Sequence, residues 1–174
     1  MDDLRYPVGK FQPPSEFTDA TRQQMIKDVE ETPARLREAV SGVEGDHWDR
    51  PYRPEGWTVR QVVHHLPDSH LNAYIRFKLG LTEDSPAIKT YDEASWAKLA
   101  DSSIVPPEVS LDLLESLHAR WIALLRSMSE ADFSRKVIHP EYGEMTLDRL
   151  LALYAWHGRH HVGHITALRS REGW

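Results

Sequence analysis

Four stretches of this chain repeat apolar residues at steps of three and four, and that spacing leaves little choice of architecture. The cleanest run is Leu114, Leu117, Trp121, Leu124 and Met128, which falls on one face of a 3.6-residue helix; Ser110 reads as its N-cap. The last stretch, capped by Thr146 and reaching about Arg171, carries Leu150, Tyr154, His157, His161, Ile165 and Leu168 on one stripe. An earlier one starts after the cap Thr58 at Val59 and runs to about Leu81 through Val62, Leu66, Leu71, Tyr74 and Phe77. The first spans Phe17 to Val43, with Met25, Val29, Leu36, Val40 and Val43 in phase. A helix with one apolar face must bury it against another, so four of them predict an all-α four-helix bundle.

Prolines set the punctuation. Residues 1–15 hold Pro7, Pro13 and Pro14 and read as an extended arm; residues 44–56 hold Pro51, Pro54 and Gly56 and read as a loop. Pro33 should kink or split the first helix near Glu31–Thr32, and Pro67 should bend the second, because proline lacks the donor a helix interior needs. Residues 82–109 form a long connection between the second and third helices, with a short helix around Asp92–Ala100. Connections of that length commonly cover a site. Residues 134–145 read as a small hairpin turning at Pro140–Gly143. Nothing repeats, and 174 residues suit one domain over the whole chain, 1–174.

Composition removes several classes of function. A formal charge of −6 gives no basic footprint for nucleic acid. With no cysteine, disulfides, thiolate metal sites and a cysteine nucleophile are all excluded. No run approaches a membrane span, and the acidic start MDDLRYPVGKF is unlike a signal peptide, so a cytoplasmic protein is the plain expectation.

Histidine carries the chemistry. Seven of the ten lie in HHLPDSH (64–70) and HGRHHVGH (157–164). Residues four apart on a helix stand one above the other, so two such imidazoles can face one ion. The last helix offers His157/His161, which continue the buried stripe, and His160/His164, which periodicity places on the flank or in solvent. Burying an imidazole with an unpaired nitrogen costs roughly 1–3 kcal/mol, and a metal relieves two at once; hydrogen bonds to Tyr, Asp or each other are the alternative. A third ligand would come from His64, His65 or His70, among which periodicity does not choose. Three imidazoles with no thiolate describe an open site for zinc or nickel. HEXXH is absent, so peptidase chemistry has no support.

The joint pattern GWTVRQVVHHLPDSHLNAYIRFKLGLTEDSPAI (56–88) and WHGRHHVGHITALRSREGW (156–174), with YPVGKF and TPARLREAV, resembles the YfiT branch of the DinB/YfiT family along nearly the whole chain. The resemblance implies a four-helix bundle, a homodimer, and one divalent metal held by His65, His157 and His161. It also implies metal-dependent hydrolase activity, or transfer of the low-molecular-weight thiol bacillithiol to electrophiles. Pro67 departs from the helix-forming residue the pattern leads one to expect.

Three functions compete. In a thiol S-transferase the metal would bind the thiol cosubstrate and lower its pKa from ~8.5, with Arg76 and Arg159 as candidate anchors for an acidic thiol. In a hydrolase the ion would lower the pKa of water towards ~7, and Asp68 is the carboxylate nearest in sequence to serve as general base. In a non-catalytic stress-response module the metal would be structural, which requires a fourth protein ligand such as Asp92 or Glu93.

Overall fold

The structure is a computed structural model that describes residues 4–174, so Met1 to Asp3 of the expected arm lie outside the described residues. Four long helices form the body: α1 (Asp19–Val40), α2 (Val59–Thr82), α5 (Pro107–Ser127) and α7 (Leu147–Glu172). Between them come the short helices α3 (Glu93–Trp96), α4 (Asp101–Ile104) and α6 (Glu130–Phe133), and the antiparallel strands β1 (Lys136–His139) and β2 (Gly143–Thr146). α1 packs on α5 and α7, and α2 packs on the same two, which leaves α1 and α2 diagonal. The four-helix bundle, the long crossover and the hairpin are all as expected.

The caps explain where the helices begin. Thr58 accepts from the Gln61 N–H while the Gln61 side chain returns to the Thr58 N–H, a reciprocal pair that satisfies two orphan donors. Thr146 accepts from the Arg149 N–H at 3.2 Å, and Thr18 does the same for α1 through Thr21. The expected cap at Ser110 is a correction: α5 starts four residues earlier, with Pro107 in its first turn, where a missing N–H costs nothing. Ser110 is instead buried inside the helix with its hydroxyl 2.7 Å from His64 Nδ1.

Neither proline splits its helix. α1 continues through Pro33 and α2 through Pro67 without a break in helix. A proline at position 33 removes the donor that would normally reach the carbonyl of residue 29. That carbonyl finds another donor, His118 Nδ1 on α5, at 2.7 Å. Packing therefore compensates locally for what the sequence takes away.

Apolar burial falls into two clusters. One gathers Ile26, Val29, Phe77, Trp121, Leu150 and Leu151; the other gathers Leu36, Val62, Leu66, Leu114, Ile165 and Leu168. Near the junction of these clusters every long helix buries polar side chains: Thr32 on α1, His65 and His70 on α2, His118 on α5 and His161 on α7. The bundle thus carries a histidine layer between two apolar halves. Among the described residues, no helix is long and apolar enough to cross a membrane.

Candidate metal centre

α2 and α7 are neighbours, so the two histidine-rich segments meet. One nitrogen each from His65, His157 and His161 lies within 4.8 Å of the others, a grouping that could hold a metal ion. His65 Nε2 and His157 Nε2 stand 3.3 Å apart. Two nitrogens bound at 2.0–2.1 Å to a tetrahedral zinc are separated by roughly the same distance, so this pair already has the spacing such an ion requires. Among the described residues no carboxylate joins this group.

The rings are poised as neutral ligands. Burial pushes His157 and His161 well below the usual imidazole range, and neighbouring histidines add to the shift. His65 is lowered to about 3, again first by burial. A protonated ring cannot coordinate, so neutrality is what ligation requires. Trp57 closes one side: its ring lies 4.6 Å from that of His65 and stacks over His161. The short backbone pairing of Pro51 with Thr58 holds the loop that carries Trp57 in place.

Of these three, His157 and His161 line a cleft of about 790 Å³, within the size that takes small-molecule ligands. Its walls include Tyr52, Trp57, Arg76, Glu93, His139 and Tyr154. The crossover from α2 to α5 supplies Asp92 and Glu93, and it is fastened to the hairpin by Ile88 N–H to the Ile138 carbonyl and Ile138 N–H to the Pro86 carbonyl, both 2.9 Å. The short helix expected around Asp92–Ala100 is α3, a single turn capped by Asp92 through the Ser95 N–H, and α4 follows beyond it.

A sequence model of the DinB superfamily matches residues 28–165. The chain belongs to the DinB superfamily. Two relatives in it carry the name "Putative metal-dependent hydrolase". One, YfiT of Bacillus subtilis (strain 168), is 49% identical over 173 residues, covering 99% of this chain and 97% of its own. The other, from Geobacillus kaustophilus (strain HTA426), is 52% identical over 176 residues, covering 100% and 98%. The solved structure of B. subtilis YfiT, described as having an unusual four-helix bundle topology, superposes with a TM-score of 0.95 over 98% of both chains. A mycothiol-dependent maleylpyruvate isomerase shares the fold at a TM-score of 0.62 and 19% identity, over 80% of this chain and 60% of its own.

Within this DinB-superfamily frame, the remaining expected residues separate. His64 turns away to Ser110. His70 sits behind His157, its Nε2 3.1 Å from His157 Nδ1. The pair His160/His164, expected on the flank or in solvent, is a correction: both are buried and both line the cleft. The arm and the 51–58 loop cover that flank, with Tyr6 beside His160, Tyr52 stacked on His164 at 3.8 Å, and the Arg5 carbonyl 3.1 Å from His164 Nε2.

Of the two candidate anchors, Arg159 ion-pairs with Asp28 on α1, whereas Arg76 lines the cleft. Arg76 is 8% exposed. It donates to the Tyr154 hydroxyl and the Lys89 carbonyl at 2.7 Å each, and its Nε has no partner. Asp68 does not line the cleft; burial and then Asp101 push its carboxyl up to about 6. The carboxylates on the cleft wall include Asp92 and Glu93, and burial raises the Glu93 carboxyl above its ordinary value. Tyr52, Trp57 and His139 escaped the sequence reading because they lie on loops and a strand, where periodicity carries no information.

Proposed function

We propose that this protein is a metal-dependent enzyme in which His65, His157 and His161 hold one divalent ion, zinc or nickel, and that it transfers a low-molecular-weight thiol of the bacillithiol kind to an electrophilic acceptor. One observation carries this reading: three neutral imidazoles converge beside a roomy cleft that two of them line, with no fourth protein ligand among the described residues. A purely structural zinc would normally have four. When bound, the ion supplies a Lewis acid that lowers the pKa of whatever group enters its vacant position.

The chain's own residues supply the rest. Because the protein has no cysteine, a sulfur nucleophile must arrive from solution. Arg76, fixed by its bonds to the Tyr154 hydroxyl and the Lys89 carbonyl, places a guanidinium charge on the cleft wall for an anionic group on thiol or acceptor. Glu93, raised by burial, is the cleft carboxylate able to accept the proton that the nucleophile gives up. Trp57 walls the ligands off from bulk water.

Hydrolysis is the second reading, favoured by the names of the two relatives; there the nucleophile is water and Glu93 keeps the same role. The two separate in one assay. Metal-loaded protein is incubated with an electrophilic aromatic acceptor, with and without bacillithiol, and conjugate is followed by mass spectrometry. Conjugate that needs both metal and thiol supports transfer. Turnover of an ester or amide without thiol supports hydrolysis, and activity in neither arm leaves a non-catalytic metal-binding module.

A further inference from the structure

Hydrogen bonds between ring nitrogens link several of the buried histidines into two chains, and each chain ends on a main-chain carbonyl. The Val29 carbonyl, whose usual helical donor is missing because residue 33 is proline, can only accept. His118 Nδ1 must therefore carry the proton in that 2.7 Å bond. In a neutral ring this leaves His118 Nε2 bare, so it accepts from His70 Nδ1–H at 2.8 Å. His70 Nε2 is then bare in turn and accepts from His157 Nδ1–H at 3.1 Å. What remains on His157 is a lone pair at Nε2, the atom that faces His65. The chain passes through α1, α5, α2 and α7, one link from each long helix.

The second chain is shorter. The Arg5 carbonyl accepts from His164 Nε2–H at 3.1 Å. His164 Nδ1 then accepts from His161 Nδ1–H at 3.4 Å, which frees Nε2 of His161. Both histidines that α7 offers to the site are thus set in the same tautomer from outside it.

We infer that His70, His118 and His164 are positioning residues: anchored on the Val29 and Arg5 carbonyls, they lock His157 and His161 as Nδ1–H tautomers with both Nε2 lone pairs presented to one site. This deepens the metal reading above and rests on it for its purpose, though the tautomers themselves follow from the hydrogen bonds. Free imidazole favours neither state strongly enough to guarantee a bare Nε2, so a wrongly protonated ring would have to reorganise before ligating. Groups that orient ligand rings in this way typically change metal affinity 10- to 100-fold when removed.

The test uses the full chain, ¹⁵N-labelled and metal-free, with two-bond ¹H–¹⁵N spectra that report imidazole tautomers. His157 and His161 are expected as Nδ1–H. In His118→Phe the His157 signal should lose its single-tautomer pattern, and Ni²⁺ affinity should fall about 10- to 100-fold. His118→Gln, which keeps an acceptor for His70 Nδ1–H, should restore most of both. His164→Phe should unlock His161 alone while keeping the stack on Tyr52. An Nε2–H tautomer for His157 in the wild type, or a folded His118→Phe protein with unchanged tautomer and affinity, would overturn the inference. If His118→Phe fails to fold by circular dichroism, the wild-type spectrum decides. Expected tautomers in a protein that binds no Ni²⁺ or Zn²⁺ would defeat the metal reading and leave the locked rings standing.

Discussion

Arg22 on α1 holds both carboxylate oxygens of Asp148 on α7, Nε to Oδ1 and Nη2 to Oδ2, each at 2.9 Å. Both side chains are buried, and the bond to Asp148 is the main cause that raises the arginine's pKa. Asp148 also sits in the first turn of α7, where a negative charge opposes the exposed N–H groups favourably. Removing one partner of a buried pair strands the other charge in the core. Asp148→Ala is therefore expected to cost about 3–5 kcal/mol of stability, read by urea denaturation. A change below about 0.5 kcal/mol, the range of ordinary surface substitutions, would show that the pair is not a determinant of the bundle.

The two histidine pairs on α7 should differ in metal binding although both are buried. His161 supplies a nitrogen to the convergent group, whereas His160 stacks on Trp156 and its Nδ1 has no partner. His161→Ala is expected to lower Ni²⁺ or Zn²⁺ affinity by more than the roughly 10- to 100-fold typical of a supporting residue; His160→Ala should leave it within a few-fold. Calorimetric titration of both variants checks this. Equal losses would defeat the assignment of the pair.

Arg76 offers a sharper test of what the cleft binds. A charge-assisted hydrogen bond to an anionic group is worth about 1.5–3 kcal/mol, so Arg76→Lys should raise KM for an acidic thiol or acceptor roughly ten- to a hundredfold. Metal affinity should stay unchanged, since Arg76 is not among the convergent nitrogens. Unchanged KM across acidic and neutral substrates would remove Arg76 from recognition.

Acid should unfold the metal-free protein early. Burial lowers His118, His160 and His164 to about 4 and His65 to about 3. In the unfolded chain these rings titrate near ~6.5. Between those values the unfolded state binds more protons than the folded one, so stability rises with pH across that window. Full stability is expected above about pH 6.5, falling progressively as the medium is acidified towards about pH 4. Thermal midpoints in a buffer series check the slope; a flat profile there would mean that the rings bind protons alike in the folded and unfolded chain.

Much of the bundle was legible because its signals are local. The steps from Leu114 to Met128 and from Leu150 to Leu168, and the caps Thr58 and Thr146, depend only on helical period and on hydroxyls near orphan N–H groups. Ser110 misled for the same reason: a serine beside prolines looks like a cap until a partner helix brings His64 to its hydroxyl. His160 and His164 misled because one helix's period cannot reveal that the arm and the 51–58 loop cover its outer flank.

The linear order of residues therefore determined the four helices, their apolar faces and the pairing of His157 with His161, all properties of one helix turn. Only the tertiary structure decided which partner each polar group meets. It turned His64 away to Ser110, aimed Arg76 rather than Arg159 into the cleft, and gave the Val29 carbonyl to His118. It also decided Gly158, where a Cβ would come within 2.4 Å of Thr32 Oγ1 at the contact of α7 with α1. Helical period is set by neighbours a few bonds away, whereas a hydrogen bond or close contact between helices exists only once the apolar faces have fixed how they pack.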